Sequence, residues 1–198
     1  MMKIALFGTS ADPPTTGHQM IMKWLSTHYD LVVVWAADNR LKLQQTPLEH
    51  RATMLKLLID DISQNHQNKV VINQNLSSWK TLETVAKAKL IWGENVEYTL
   101  VIGSDLINQL HRWYHIHDLL TQVKLLIIPR PGYIIDHDSI EKLEEIGGKI
   151  AIANITGLNV SSTAFREKRD INTLIPPVIA YIHQQHLYEC PYLTQTQI

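Results

Sequence analysis

The residues best able to do chemistry fall in one stretch, Gly8-Thr9-Ser10-Ala11-Asp12-Pro13-Pro14-Thr15-Thr16-Gly17-His18, directly after a short aliphatic run. Gly8 leaves room for an incoming ligand, Pro13-Pro14 stiffens the turn, and Gly17-His18 opens an amphipathic segment. The first N–H groups of a helix lack internal partners and lie at the positive end of its dipole, so such an entrance attracts phosphate. His18 there can donate to a phosphate oxygen and, if protonated, offset charge developing on phosphorus. Read as plain architecture, the same residues punctuate a loop and His18 caps a helix; spacing alone leaves both readings open. Two other phosphate signatures are absent. Only Gly8 and Gly17 stand where G-x-G-x-x-G needs three close glycines, and no Gly-Lys-Ser/Thr tripeptide occurs. Hydride transfer and P-loop hydrolysis are therefore disfavoured.

Positioning such a loop requires strands and helices in alternation, and the hydrophobic pattern supplies them. Candidate strands are Lys3–Gly8, Leu31–Ala37, Val70–Gln74, Tyr98–Gly103, Lys124–Pro129 and Lys149–Asn154, most of them continuously apolar, as strands covered on both faces must be. Helices are predicted over Gly17–His28, Thr81–Trp92 (ending at Gly93), Trp113–Thr121 and Ser139–Ile146. A further helix follows Thr46-Pro47-Leu48-Glu49, read as N-cap, first-turn proline and capping glutamate. This alternation predicts an α/β fold: a doubly wound, mainly parallel sheet flanked by helices, with right-handed crossovers. Ligands then sit beyond the carboxyl ends of the strands, after Phe7, Ala37, Gly103 and Asn154. One domain is expected over residues 1–188, with a loose tail over 189–198.

Composition narrows the function classes. The chain has 198 residues, 45% hydrophobic and 19% charged, with a formal net charge of −1. A chain of that length can bury about 70% of its unfolded surface. Near-neutrality gives no bulk electrostatic hold on nucleic acid. The single cysteine, Cys190, excludes a disulfide framework within the chain and a cysteine-built zinc site. No apolar run reaches the ~20 residues of a membrane span. The first residues read as a strand rather than a signal peptide, so a cytoplasmic setting is expected.

Seven ordered blocks carry a family resemblance. Thr15-Thr16-Gly17-His18 resembles the H/T-x-G-H signature of the nucleotidylyltransferase superfamily. Gln45-Thr46-Pro47-Leu48-Glu49-His50-Arg51-Ala52-Thr53-Met54-Leu55 is similar to the Arg-x-x-Met-Leu helix of bacterial nicotinate-nucleotide adenylyltransferases, and Thr81-Leu82-Glu83-Thr84-Val85 to their Thr-x-Asp-Thr-Leu segment. Ile102-Gly103-Ser104-Asp105-Leu106 with Trp113-Tyr114, Arg130-Pro131-Gly132-Tyr133, and Val160-Ser161-Ser162-Thr163-Ala164-Phe165-Arg166 resemble further family elements, and Leu174 to Tyr188 follows its C-terminal helix. The resemblance implies a Rossmann-like nucleotidylyltransferase fold and transfer of AMP from ATP to nicotinate mononucleotide, giving nicotinate adenine dinucleotide and pyrophosphate in NAD biosynthesis. Nicotinamide mononucleotide, or both acceptors, stays open as the alternative, as does a non-catalytic nucleotide-binding regulatory module. A homo-oligomer also stays open.

The resemblance assigns His18, Thr15 and Arg166 to catalysis. It assigns Gly8, Thr9, Ser10, Gly17, His18, Gly103, Asp105, Ser162 and Arg166 to ATP, and Lys42, Thr81, Trp113, Tyr114 and Arg130 to the acceptor. Mg²⁺ is expected on the ATP phosphates rather than in a protein cage. Each residue also has a structural reading: Arg166 on a solvated charged face, Asp105 as a helix cap, Trp113 in packing, Lys80 exposed rather than meeting the acceptor carboxylate. The chain departs from the family pattern at Thr15 (histidine in most nicotinate-nucleotide enzymes), Thr9 (glycine), Ala11 (phenylalanine) and Lys80 (tyrosine). His111 and His115 would share a face if helical, near His117, but no carboxylate or cysteine completes an evident metal site.

Overall fold

Each of the six aliphatic runs becomes a strand of one sheet. The computed structural model describes residues 1–38, 45–63, 69–155 and 160–188. Its strands are β1 (Met2–Thr9), β2 (Leu31–Ala36), β3 (Val70–Ile72), β4 (Val96–Gly103), β5 (Lys124–Ile128) and β6 (Lys149–Ile152). They lie in the order β3-β2-β1-β4-β5-β6, every neighbouring pair parallel. The chain winds outward one way from β1 and then returns to start again at β4, so β1 and β4 meet at the switch point. Among the described residues, α1 (Thr16–His28), α2 (Leu48–Ser63), α3 (Thr81–Trp92), α4 (Ile116–Gln122) and α5 (His137–Glu145) connect the strands, and α6 (Ser162–Lys168) and α7 (Pro176–Gln184) follow β6.

The continuous apolar character of β1 follows from burial on both faces. Ala5 and Phe7 join a core with Met22, Leu25, Met54, Leu55 and Val178, beneath α1, α2 and α7. Ile4 and Leu6 join the opposite core with Val85, Leu119 and Leu125, beneath α3 and α4. Fully burying one such side chain contributes about 1.5–3 kcal/mol. The edge strand β6 is the exception: Ile152 is exposed although its run reads as apolar.

Three local expectations need correction. The helix after Thr46 starts at Leu48, and the Pro47 carbonyl accepts from the His50 and Arg51 N–H groups, so Pro47 lies before the first turn rather than in it. The helix expected over Trp113–Thr121 begins only at Ile116; Ser104–Arg112 is a 3₁₀ helix closed by Trp113, and His115 at φ 51° breaks the path between them. His111 and His115 consequently share no helix face: His111 Nε2 accepts from Arg112 Nε, and His115 Nδ1 pairs with Asp118. Gly93 does end α3 as expected, at φ 91°, its N–H donating to Lys89 O. The tail over 189–198 lies outside the described residues.

Candidate active site

The loop from Ser10 to Thr15 is held from beneath by a buried guanidinium. Arg51, on α2, donates from Nη1 to the carbonyls of Ser10 and Ala37, and from Nε to that of Thr46, each at 2.8 Å. One side chain thus ties together the ends of β1 and β2 and the approach to α2. Burial lowers the Arg51 pKa, while Asp12 and Asp38 oppose that shift. Asp12 is buried beside it, and its Oδ1 accepts from the Tyr188 hydroxyl at 2.7 Å. The bond between Asp12 and Pro13 is cis.

His18 occupies the third position of α1 and folds back on the residue that precedes the helix. The Thr15 N–H donates to His18 Nδ1 at 3.0 Å, as a capping glutamate would accept it. A backbone N–H only donates, so Nδ1 is the acceptor and the neutral ring carries its proton on Nε2. Burial, and then the positive charge of Arg130, push the imidazole down to about 4. The ring at pH 7 is therefore a neutral donor, the first of the two roles its position allows. Thr15 Oγ1 also lies 3.0 Å from Nδ1, and the residue is 1% exposed. Its backbone N–H and its hydroxyl thus both face the same ring nitrogen of His18. Gly17 packs close: a Cβ there would stand 3.0 Å from Val160 Cγ2.

Gly8 is required by packing within the protein as well. A Cβ there would lie 2.5–2.8 Å from the buried Trp35 indole, so the glycine accommodates a core side chain. Gly8→Ala is expected to destabilise the fold by about 1–3 kcal/mol by overpacking, readable as a lowered urea midpoint. Thr9 is the last residue of β1, followed by Ser10.

Across the switch point, β4 delivers Gly103 and then Asp105. Arg130, following β5, donates to Asp105 Oδ2 at 2.9 Å. Asp105 Oδ1 is buried with no hydrogen-bond partner. Asp105 is thus no helix cap; the residue ahead of the 3₁₀ helix is Gly103. A Cβ at Gly103 would fall 2.2 Å from Asp105 Oδ1 and 2.8 Å from Arg130 Cδ, so this glycine makes the ion pair possible. Arg130, assigned from the sequence to the acceptor, pairs with Asp105 and lends its positive charge to the surroundings of His18.

Ser162 and Arg166 reach the same loop from α6. Ser162 Oγ donates to Pro13 O at 2.8 Å; Arg166 donates to the Asp12 carbonyl and, at 3.2 Å, to Thr163 Oγ1. Arg166 is exposed yet tied to the loop, and both residues brace it. On the other flank, Thr81 opens α3, and Trp113 is half-buried against the core while Tyr114 is exposed. Lys80 is half-buried between Trp79, Tyr114 and Glu83, not freely exposed. A cavity of about 380 Å³ opens beyond β2 and β3, lined by residues including Asp38, Gln74, Ser77 and Trp79. Lys42 lies outside the described residues. Among the described residues no group of three His, Cys, Asp or Glu side chains is placed to hold a metal ion, and no helix is long and apolar enough to cross a membrane.

Tyr188 and the bracing role of Arg51 were not singled out from the sequence. The only available signal was a cationic residue on the apolar side of a predicted helix: Arg51 follows Leu48 by three and precedes Leu55 by four.

Comparison with known proteins finds relatives along nearly the whole chain. A model of the cytidylyltransferase-like family matches residues 6–168. The chain is 42% identical to a "probable nicotinate-nucleotide adenylyltransferase" of Synechocystis sp., over 94% of this chain and 99% of that protein. It is 28% identical to the nicotinate-nucleotide adenylyltransferase of Bacillus subtilis, over 96% of this chain and 100% of that protein. The structure of Plasmodium falciparum nicotinic acid mononucleotide adenylyltransferase complexed with NaAD superimposes with a TM-score of 0.79 at 26% identity, covering 95% of this chain and 98% of that one.

Proposed function

The chain belongs to the cytidylyltransferase-like family, and from that premise we propose that it transfers AMP from ATP to nicotinate mononucleotide, producing nicotinate adenine dinucleotide and pyrophosphate. The observation that carries this reading is the arrangement at the switch point: a helix entrance bearing His18 as a neutral donor, opposite a carboxylate with one unpartnered oxygen. The names of full-length relatives and the NaAD complex of a structural neighbour support the same reaction.

The chemistry is an in-line displacement. An acceptor phosphate oxygen forms a bond to the α-phosphorus of ATP as the bond to the β-phosphate bridging oxygen breaks, and pyrophosphate leaves with that electron pair. The attacking phosphate is already ionised at neutral pH, so positioning and charge stabilisation matter more than a base. His18 Nε2–H donates to a non-bridging oxygen of the α-phosphate, where charge builds, and Arg130 adds positive potential nearby. The Asp105 carboxylate, at the carboxyl end of β4, accepts from a ribose hydroxyl of the bound nucleotide. Mg²⁺ arrives as part of the substrate, on the triphosphate. These are cytoplasmic metabolites, and the protein acts there as a small-molecule enzyme.

Incubation with MgATP and a panel of nicotinate mononucleotide, nicotinamide mononucleotide and phosphopantetheine is expected to release pyrophosphate fastest with the first. Bound ATP without pyrophosphate from any acceptor would instead establish the non-catalytic regulatory reading, for which Thr15 in place of a histidine is the motivating feature.

A further inference from the structure

We propose that Lys80 makes the acceptor site selective for a heterocycle bearing a negative charge, favouring nicotinate over nicotinamide mononucleotide; this rests on the adenylyltransferase reading above. Ordinary burial is inverted around this residue. Lys80 has a side chain only 22% exposed, whereas the two aromatic residues beside it are far more open, Trp79 at 64% and Tyr114 at 49%. Its Nζ stands 4.7 Å from the Trp79 ring centroid and 4.5 Å from that of Tyr114. Aromatic faces attract and orient an ammonium without removing its charge.

Its one carboxylate partner is shared. Glu83 Oε1 lies 3.1 Å from Lys80 Nζ, while Oε2 accepts from Ser78 Oγ at 2.7 Å. Glu83 is exposed to water, which screens its field, so the ammonium retains attraction for a second anion. The sequence places Lys80 next to Thr81, and the tertiary structure adds Tyr114, next to Trp113, from an element more than thirty residues away. A flat pyridine ring has exposed aromatic faces to stack on here. Its substituent then decides the electrostatics: a carboxylate carries a full negative charge toward Nζ, and a carboxamide carries none. Nothing in this arrangement requires the acceptor's phosphate, which both mononucleotides share.

The test compares kcat/KM for the two mononucleotides in the wild type, Lys80→Met, which keeps most of the stem without the charge, and Lys80→Arg, which keeps the charge. The nicotinate-to-nicotinamide ratio is expected to fall about tenfold in Lys80→Met, through KM for nicotinate mononucleotide, and to be largely kept in Lys80→Arg. Raising the salt should shrink the wild-type ratio. An unchanged ratio in Lys80→Met overturns the inference; so does an equal loss on both acceptors, which would put the ammonium on the shared phosphate. Wild-type protein that yields pyrophosphate with neither mononucleotide overturns both readings, a result distinguishable by the absence of any rate to compare.

Discussion

His18→Ala is expected to lower kcat by about 10²–10³-fold, the usual loss when one preorganised donor to a developing anionic charge is removed. The magnitude follows from the state of the ring. Thr15 N–H occupies Nδ1 at 3.0 Å, which leaves Nε2–H as the only donor and fixes its direction before substrate arrives. ATP affinity should change less than kcat, because the hydrogen bond strengthens as charge accumulates. The fold should survive: the variant loses the acceptor for one N–H, a change costing about 1 kcal/mol. Steady-state pyrophosphate release and thermal denaturation of the same samples separate the two effects.

The imidazole also predicts a dependence of stability on pH. Its folded-state pKa is about 4, against 6.5 for the unfolded chain. Below pH 6.5 the unfolded chain takes up the proton first, so this site's contribution is complete above pH 6.5 and is lost progressively as pH falls to 4. Urea midpoints measured at pH 7 and pH 5 should therefore differ less in His18→Ala than in the wild type.

Arg51→Leu should be the most destabilising single change in the loop, by about 3–5 kcal/mol. Three carbonyls, those of Ser10, Ala37 and Thr46, lose a charged donor at once, and each unmade bond to a charged group costs about 1.5–3 kcal/mol before relaxation. That is a large fraction of the 5–15 kcal/mol typical of a whole domain. Arg51→Lys should recover little, since an ammonium cannot span acceptors on three segments as a planar fork does. Equilibrium urea unfolding checks the stability. KM for ATP should rise in the residual folded fraction, because the Ser10–Thr15 turn loses its floor.

The parallel sheet was legible because strands buried on both faces must be apolar throughout, as Leu31–Ala36 and residues 125–128 are. The importance of the turn after β1 was legible too, since glycine, paired prolines and a histidine at a helix start are local features. Trp113 was misplaced in a helix because its neighbours have helical spacing, while the left-handed backbone at His115 depends on packing that spacing does not encode.

Local periodicity and turn chemistry thus decide the alternation of strands and helices, and place His18 at the beginning of α1. Interactions between distant segments decide what those residues do. Gly8 is required by Trp35, Asp12 is engaged by Tyr188 across 176 positions, and Arg51 gathers three strand and helix ends. The physical reason is range: backbone conformation responds to near neighbours along the chain, whereas desolvation, ion pairing and close packing act between groups that only folding brings together.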